Sequence, residues 1–206
     1  MALELANTVQ ARFPQHVLAV HRFRGQETVL VKWEGLLDVA RFVRDDPAMA
    51  CDFLMDLTCV DYLKFGTSQT SAPTLATPSP LPYYMKPKPV TETWERLPAC
   101  LRQAQAGPVS CDDGSFEVVY HLYSSTRHHR LRVKVPLAEA EPAVDSLTGL
   151  WASADWFERE AWDMFGVRFL GHPNLKRLLM YEAFKGHPLR KDYPVRKRQP
   201  LIGPLN

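Results

Sequence analysis

The chain has 206 residues, of which 46% are hydrophobic, 11% aromatic and 23% charged. That length suits one domain, or one domain with appendages, and it can bury roughly 70% of its unfolded surface without disulfides or metal. The composition excludes wholesale disorder, a coiled coil and a fibrous repeat, and a net charge of +2 excludes a uniformly basic nucleic-acid coat.

No basic run followed by an apolar stretch opens the chain, so no signal peptide is expected. His16–Phe23 and Glu27–Trp33 read as two strands joined by a turn at Arg24–Gly25–Gln26, with Val29, Val31 and Trp33 on one face. Leu36, Val39, Ala40 and Val43 form one helical stripe. Asp52–Tyr62 alternates again, which predicts Phe53, Met55, Leu57 and Cys59 on one side. The stretch 66–108 holds eight of the 17 prolines, among runs of Ser and Thr. Proline removes backbone donors and forbids central strands, so this reads as an extended, mobile insertion with polyproline II character and a short helix near Trp94–Gln105. It lacks the apolar run of a membrane helix.

Ser115–Tyr123 places Phe116, Val118, Tyr120 and Leu122 on one face. Arg130–Val135 points Leu131, Val133 and Val135 one way and Arg130, Arg132 and Lys134 the other, with Ser124–His129 as the hairpin loop. Strands with one apolar and one charged face need helices on the apolar side only. The expected fold is therefore α+β: a mixed, mostly antiparallel sheet with helices on one face. Trp156–Phe165 reads as a helix, with Asp155 as N-cap, Glu158 completing a capping box, Phe157, Ala161, Met164 and Phe165 as buried stripe, and Gly166 as the stop. Val167–Phe169 is a short extended run. The division expected is one domain over 1–180 and an extended partner-binding tail over 181–206. Between Lys176 and Arg198 eight basic residues face two acidic ones, a net of +6, so the remainder of the chain carries −4.

Candidate chemistry is sparse. Cys51, Cys59, Cys100 and Cys111 form no C-x-x-C pair and read as reduced thiols. Glu158 and Glu160 are two apart on a helix and cannot share a cleft. Glu160 and Asp163 share a face, Arg159 reaches Asp163 at i+4, and an ion-paired face meeting the basic tail fits better than a catalytic dyad. His172 and His187 each sit in Gly-His-Pro, where the imidazole is expected to hydrogen-bond backbone. No metalloprotease, phosphate-loop or nucleophile-elbow motif appears. The tail lacks Arg-Gly repeats and carries Leu189, Tyr193 and Val195 as anchors, which suits a protein interface better than RNA or DNA. On these residues the chain is a scaffold or interaction protein; a free-standing binding module using the cationic tail is the alternative.

The run Glu158–Leu179, EREAWDMFGVRFLGHPNLKRLL, resembles the signature of the 30 kDa subunit (the C subunit) of NADH-quinone oxidoreductase, respiratory complex I. GHPLRKDYPV (Gly186–Val195), DLTCVDY (Asp56–Tyr62), FEVVYHLYS (Phe116–Ser124) and RLRVKV (Arg130–Val135) are similar to other segments of that family. The resemblance implies a subunit without catalytic, cofactor or metal residues of its own, in a complex that elsewhere holds FMN, iron–sulfur clusters, NADH and quinone. It implies a place in the peripheral arm, on the cytoplasmic face of the bacterial inner membrane or the mitochondrial matrix side, with membrane contact only through the complex. It implies that the tail lies over the 49 kDa (D) subunit, with His187, Arg190, Lys191, Asp192 and Tyr193 as partner interface. Glu158, Arg159, Glu160, Asp163, Phe165, His172 and Lys176 are structural signature residues. A homologous subunit of a membrane-bound hydrogenase, or of another quinone-reducing dehydrogenase, is the alternative within the resemblance. The resemblance implies a short connection where this chain has its proline-rich insertion.

Overall fold

The computed structural model describes residues 4–62, 116–138, 141–194 and 196. The proline-rich insertion, its expected short helix, Cys100, Cys111 and the chain's end lie outside them. Three helices, α1 (Glu4–Arg12), α2 (Leu36–Asp45) and α3 (Ala154–Phe165), accompany strands β1 (Val17–Phe23), β2 (Gln26–Val31), β3 (Phe53–Asp61), β4 (Phe116–Tyr123), β5 (Arg130–Leu137), β6 (Ala143–Asp145) and β7 (Arg168–Leu170). The main sheet has five strands in the order β1-β2-β5-β4-β3, antiparallel except for the parallel pair β2–β5. Strands β6 and β7 form a small parallel pair. The α+β expectation therefore holds.

Period-two alternation fixes which face is buried. Val29, Val133, Tyr120 and Leu57 are register partners across β2, β5, β4 and β3, and all four are buried. Val135, Val118 and Cys59 make the next row, and Leu131, Leu122 and Leu54 the one on its other side. The helices cover this face. Leu36, Val39, Ala40 and Val43 of α2 join the core, as their stripe predicts, together with Ala6 and Val9 of α1 and Ala154 and Ala161 of α3. Helix α1 has few apolar residues, and its place is fixed from the sheet: a Glu27 carboxylate oxygen, facing the core, accepts the Ala6 N–H at 2.8 Å. The β1–β2 turn holds Arg24 and Gly25 at φ 50° and 83°, the left-handed pair that a two-residue hairpin requires. The second hairpin closes as expected, the Ser124 N–H donating to the His129 carbonyl at 3.0 Å.

Two phase expectations are corrected. In β3 the pairing slips between Leu54 and Asp56, so Met55 is a bulge residue. Leu54, Leu57 and Cys59 point inward, while Phe53 and Met55 are exposed. Trp33 does not continue the Val29–Val31 face: β2 ends at Val31, and the 3-10 turn Trp33–Gly35 swings the indole out. Among the described residues no helix is long and apolar enough to cross a membrane.

Candidate functional site

Helix α3 is the element around which the signature residues gather. Ser153, not Asp155, is its N-cap, and no side chain caps it there. Glu158 does not complete a capping box, because the side chain turns into the core and is fully buried. One carboxylate oxygen accepts the Leu147 N–H at 2.7 Å; the other has no partner among the described residues, nor does the buried Tyr120 hydroxyl. Burial pushes the Glu158 carboxyl up to about 7, against the pull of Ser146 and the Leu147 N–H. The stripe expected from Phe157, Ala161, Met164 and Phe165 is shared differently. Ala161 and Met164 are buried, the two phenylalanines are half-buried, and Glu158 and Asp163 take the deepest positions.

Asp163 is the centre of the site. It is fully buried, and Arg159 does not reach it as the i+4 spacing suggests. Its partner is Arg177, whose guanidinium donates to Oδ1 at 2.6 Å. Oδ2 accepts three successive backbone N–H groups, from Leu178, Leu179 and Met180, at 3.1, 2.8 and 2.8 Å. Burial works against the charged form, but the Met180 and Leu179 N–H groups, Arg177 and the Leu178 N–H outweigh it and hold the carboxyl below its usual range. Arg177 also donates to the Phe184 and Gly186 carbonyls and lies over the Trp162 and Phe184 rings, 5.7 Å from each centroid. Arg159 instead donates to the Lys176 carbonyl at 3.2 Å and covers Trp156. Glu160 and Lys176 are exposed.

The last four carbonyls of a helix have no partner within it. In α3 all four are met. Gly166, left-handed at φ 80°, donates its N–H to the Trp162 carbonyl at 2.8 Å. The other three partners come from the segment expected to be a partner-binding tail. The His187 Nδ1–H donates to the Asp163 carbonyl at 3.0 Å, the Leu189 N–H to Met164 at 3.1 Å, and the Arg190 Nε–H to Phe165 at 2.6 Å. A guanidinium is well placed at this negative end of the helix dipole. Burial, with Arg190 and Arg177 nearby, lowers the His187 pKa against the pull of its bond to the Asp163 carbonyl. Arg190 also covers Phe116, and the Lys191 N–H donates to buried Asp61 at the end of β3 at 2.8 Å. The Tyr193 ring stacks on Phe184, and its N–H closes the turn on the Arg190 carbonyl; Asp192 is exposed. Residues Gly186–Tyr193 thus form a strap on α3, and the side chains of His187 and Arg190 serve the fold. His172 behaves likewise: its Nδ1 accepts the Asn174 N–H, and its Nε2–H donates to the Asp155 carbonyl at 3.2 Å. Both Gly-His-Pro imidazoles bond backbone, as expected.

The outward side carries large apolar and basic side chains, together with the acidic Glu160, Glu182 and Asp192. Trp156, Leu179 and Leu189 are 58%, 56% and 53% exposed. Lys176, Lys191 and Arg196 are exposed beside them in sequence. Cys51 and Cys59 are buried, and burial pushes both thiols up to about 12, so they are inert. Among the described residues no group of three or more His, Cys, Asp or Glu could hold a metal ion.

A one-sided mixed sheet with a basic strap locked to its last long helix defines the class: an α+β chain. Two solved structures share the fold. The trypsin-resistant fragment (1–134) of Nqo5 covers 84% of this chain and all of its own, with a TM-score of 0.51 at 24% identity. A chain of the membrane-bound sulfane sulfur reductase, an archaeal respiratory membrane complex, matches over 94% of this chain and 85% of its own, with a TM-score of 0.59 at 16% identity. Residues 90–199 match the family described as respiratory-chain NADH dehydrogenase, 30 Kd subunit. The C subunit of NADH-quinone oxidoreductase from Citrifermentans bemidjiense is 38% identical over 96% of this chain and 94% of its own length. The C subunit from a Roseiflexus species is 39% identical over 95% and 87%. The chain belongs to this 30 kDa family, the C subunits of NADH-quinone oxidoreductase, an oxidoreductase assembly of several subunits.

Proposed function

We propose that this chain is a non-catalytic subunit of the peripheral arm of a proton-pumping NADH:quinone oxidoreductase. It supports electron transfer from NADH to quinone by docking the 49 kDa (D) subunit on the outer surface of its C-terminal segment. FMN, the iron–sulfur clusters and the quinone site belong to other subunits. The chain meets the membrane only through the complex, on the cytoplasmic face of the bacterial inner membrane or on the matrix side. The observation that carries this reading is the pair Leu179 and Leu189: two large apolar side chains, more than half exposed, on a segment fixed by Asp163 and by the end of α3. Exposed apolar side chains rimmed by charge mark protein interfaces. The shared name of the relatives favours this reading over a hydrogenase subunit or a free-standing binding module.

The test is a photo-crosslinking residue at position 179 or 189 in the membrane-assembled complex. The expected product is an adduct with the D subunit; adducts solely with other subunits would overturn the reading. Leu179→Asp with Leu189→Asp should lower assembled complex severalfold while the isolated chain keeps its thermal midpoint. Arg190→Glu is the poorer probe, because Arg190 also closes α3.

A further inference from the structure

The sheet face opposite the helices carries a row of polar side chains in direct register. His21 pairs with Thr28, Thr28 with Arg132, Arg132 with His121, and His121 with Asp56, one residue from each of β1, β2, β5, β4 and β3. This is not an ordinary wet surface. Thr28 is fully buried, and the His21 Nδ1, Thr28 Oγ1 and Arg132 Nε atoms are buried without a partner among the described residues. Buried polar atoms in folded proteins are nearly always paired, so the Arg132 guanidinium, the one of the three that borders a cavity, points to a missing counterpart. That cavity, of about 250 Å³, opens on part of this row, lined on its polar side by Gln26, Asp56, His121, Arg130 and Arg132 and otherwise by the apolar Met55, Leu122 and Leu131; His21 and Thr28 do not line it.

The chemistry of the lining is that of an anion site. Gln26 Oε1 accepts from one terminal nitrogen of Arg132, which orients the guanidinium and leaves its Nε–H for another acceptor. Arg130, exposed at the rim, lies over the Tyr123 ring and adds a second guanidinium. Lys134, next along β5, is already paired with Glu117 at 2.6 Å. Asp56 is the one carboxylate of the lining. Burial, then Arg132, lower the His121 pKa against the pull of Asp56, with Lys134 and Arg130 adding to the effect. Burial, Lys134 and Arg132 do the same at His21.

We propose that this row binds a small oxyanion, a phosphate- or carboxylate-bearing molecule held by Arg132 and Arg130 with His121 beside it. The volume suits a compact ligand and not a drug-sized one. Two charge-assisted hydrogen bonds correspond to a dissociation constant on the order of a millimolar.

The test is calorimetric titration of the full chain with inorganic phosphate and, separately, with malonate, at constant ionic strength set by chloride. Saturable binding of either anion to the wild type is expected, and the stronger of the two identifies the ligand's head group. Arg132→Gln and Arg130→Gln should each weaken it about tenfold or more. Arg130 is at the rim, so its variant decides the matter if Arg132→Gln fails to fold. Absence of saturable binding to the wild type would overturn the site. So would equal binding by wild type and the Arg130→Gln variant, which would mark a general salt effect.

Discussion

Replacing Glu158 with glutamine should change how the fold responds to pH. The carboxyl is fully buried, bonded on one side only to the Leu147 N–H, and pushed from 4.5 to about 7 by burial. A raised carboxyl pKa means that the folded chain holds a proton which the unfolded chain has released. Its stability is therefore full below pH 4.5 and falls as pH rises through 7. At about 1.4 kcal/mol per pH unit, that interval corresponds to roughly 3 kcal/mol. Glutamine keeps the acceptor for Leu147 and never ionises. Its amide donors take the place of the oxygen without a described partner, at a cost of about 1 kcal/mol. The variant should thus be about 1 kcal/mol less stable at pH 4.5 and about 2 kcal/mol more stable at pH 9, and the two stability curves should cross. Half-buried His21, His121 and His187 titrate with the opposite sign, since their lowered pKa values make stability rise with pH. Subtracting the wild-type curve removes them. The assay is urea unfolding of the full chain at half-unit pH intervals. Parallel curves would refute the assignment of the buried proton to Glu158.

Asp163→Asn should cost about 3–5 kcal/mol, because Arg177 is left buried without its charge partner. Limited proteolysis should then cut the strap near Lys185 and Arg190 first, and an unchanged digest would count against the strap. In the wild type the Asp163 contribution is present above the ordinary carboxylate range and is lost as pH falls through its lowered folded value, so acid unfolding should release the strap. Gly166→Ala forces a left-handed alanine whose Cβ lies 2.6 Å from the His187 ring. A loss of about 2 kcal/mol in denaturant unfolding is expected, and His187→Ala in the same chain should add less than it costs alone.

Much of the scaffold is legible because period-two and helical patterns are local. Leu131, Val133 and Val135 can only face one way, and the α2 stripe needs no tertiary context. Phase is lost where one residue changes the count: nothing in the composition of Phe53–Asp61 marks Met55 as a bulge. Helix α1 escapes a reading by pattern because Ala6 and Val9 make a weak stripe, and its anchor, Glu27, lies on a strand. Asp163 is readable as ion-paired to a basic segment, but the partner that spacing selects, Arg159, is the wrong one. A helix supplies neighbours at i+4, whereas three consecutive N–H groups come only from a loop folded over it. Glu158 misleads for a related reason. Its distance from Asp155 matches a capping box, and only the packed core shows the side chain turned inward.

The basic C-terminal segment reads in sequence as a charged arm awaiting a partner, and its charge is in part internal. Arg177 neutralises Asp163, and Arg190 closes the negative end of α3. Both are needed before Leu179 and Leu189 have fixed positions, since the Leu179 N–H is held by Asp163 and the Leu189 N–H by Met164. A partner docking as proposed would meet a preformed apolar surface rather than a flexible cationic strand, with little ordering entropy left to oppose it. This division of labour explains why one segment can be rich in arginine and still present leucines: the guanidiniums face the helix because its carbonyls and buried carboxylate require them, and the residues between them are left for the outside.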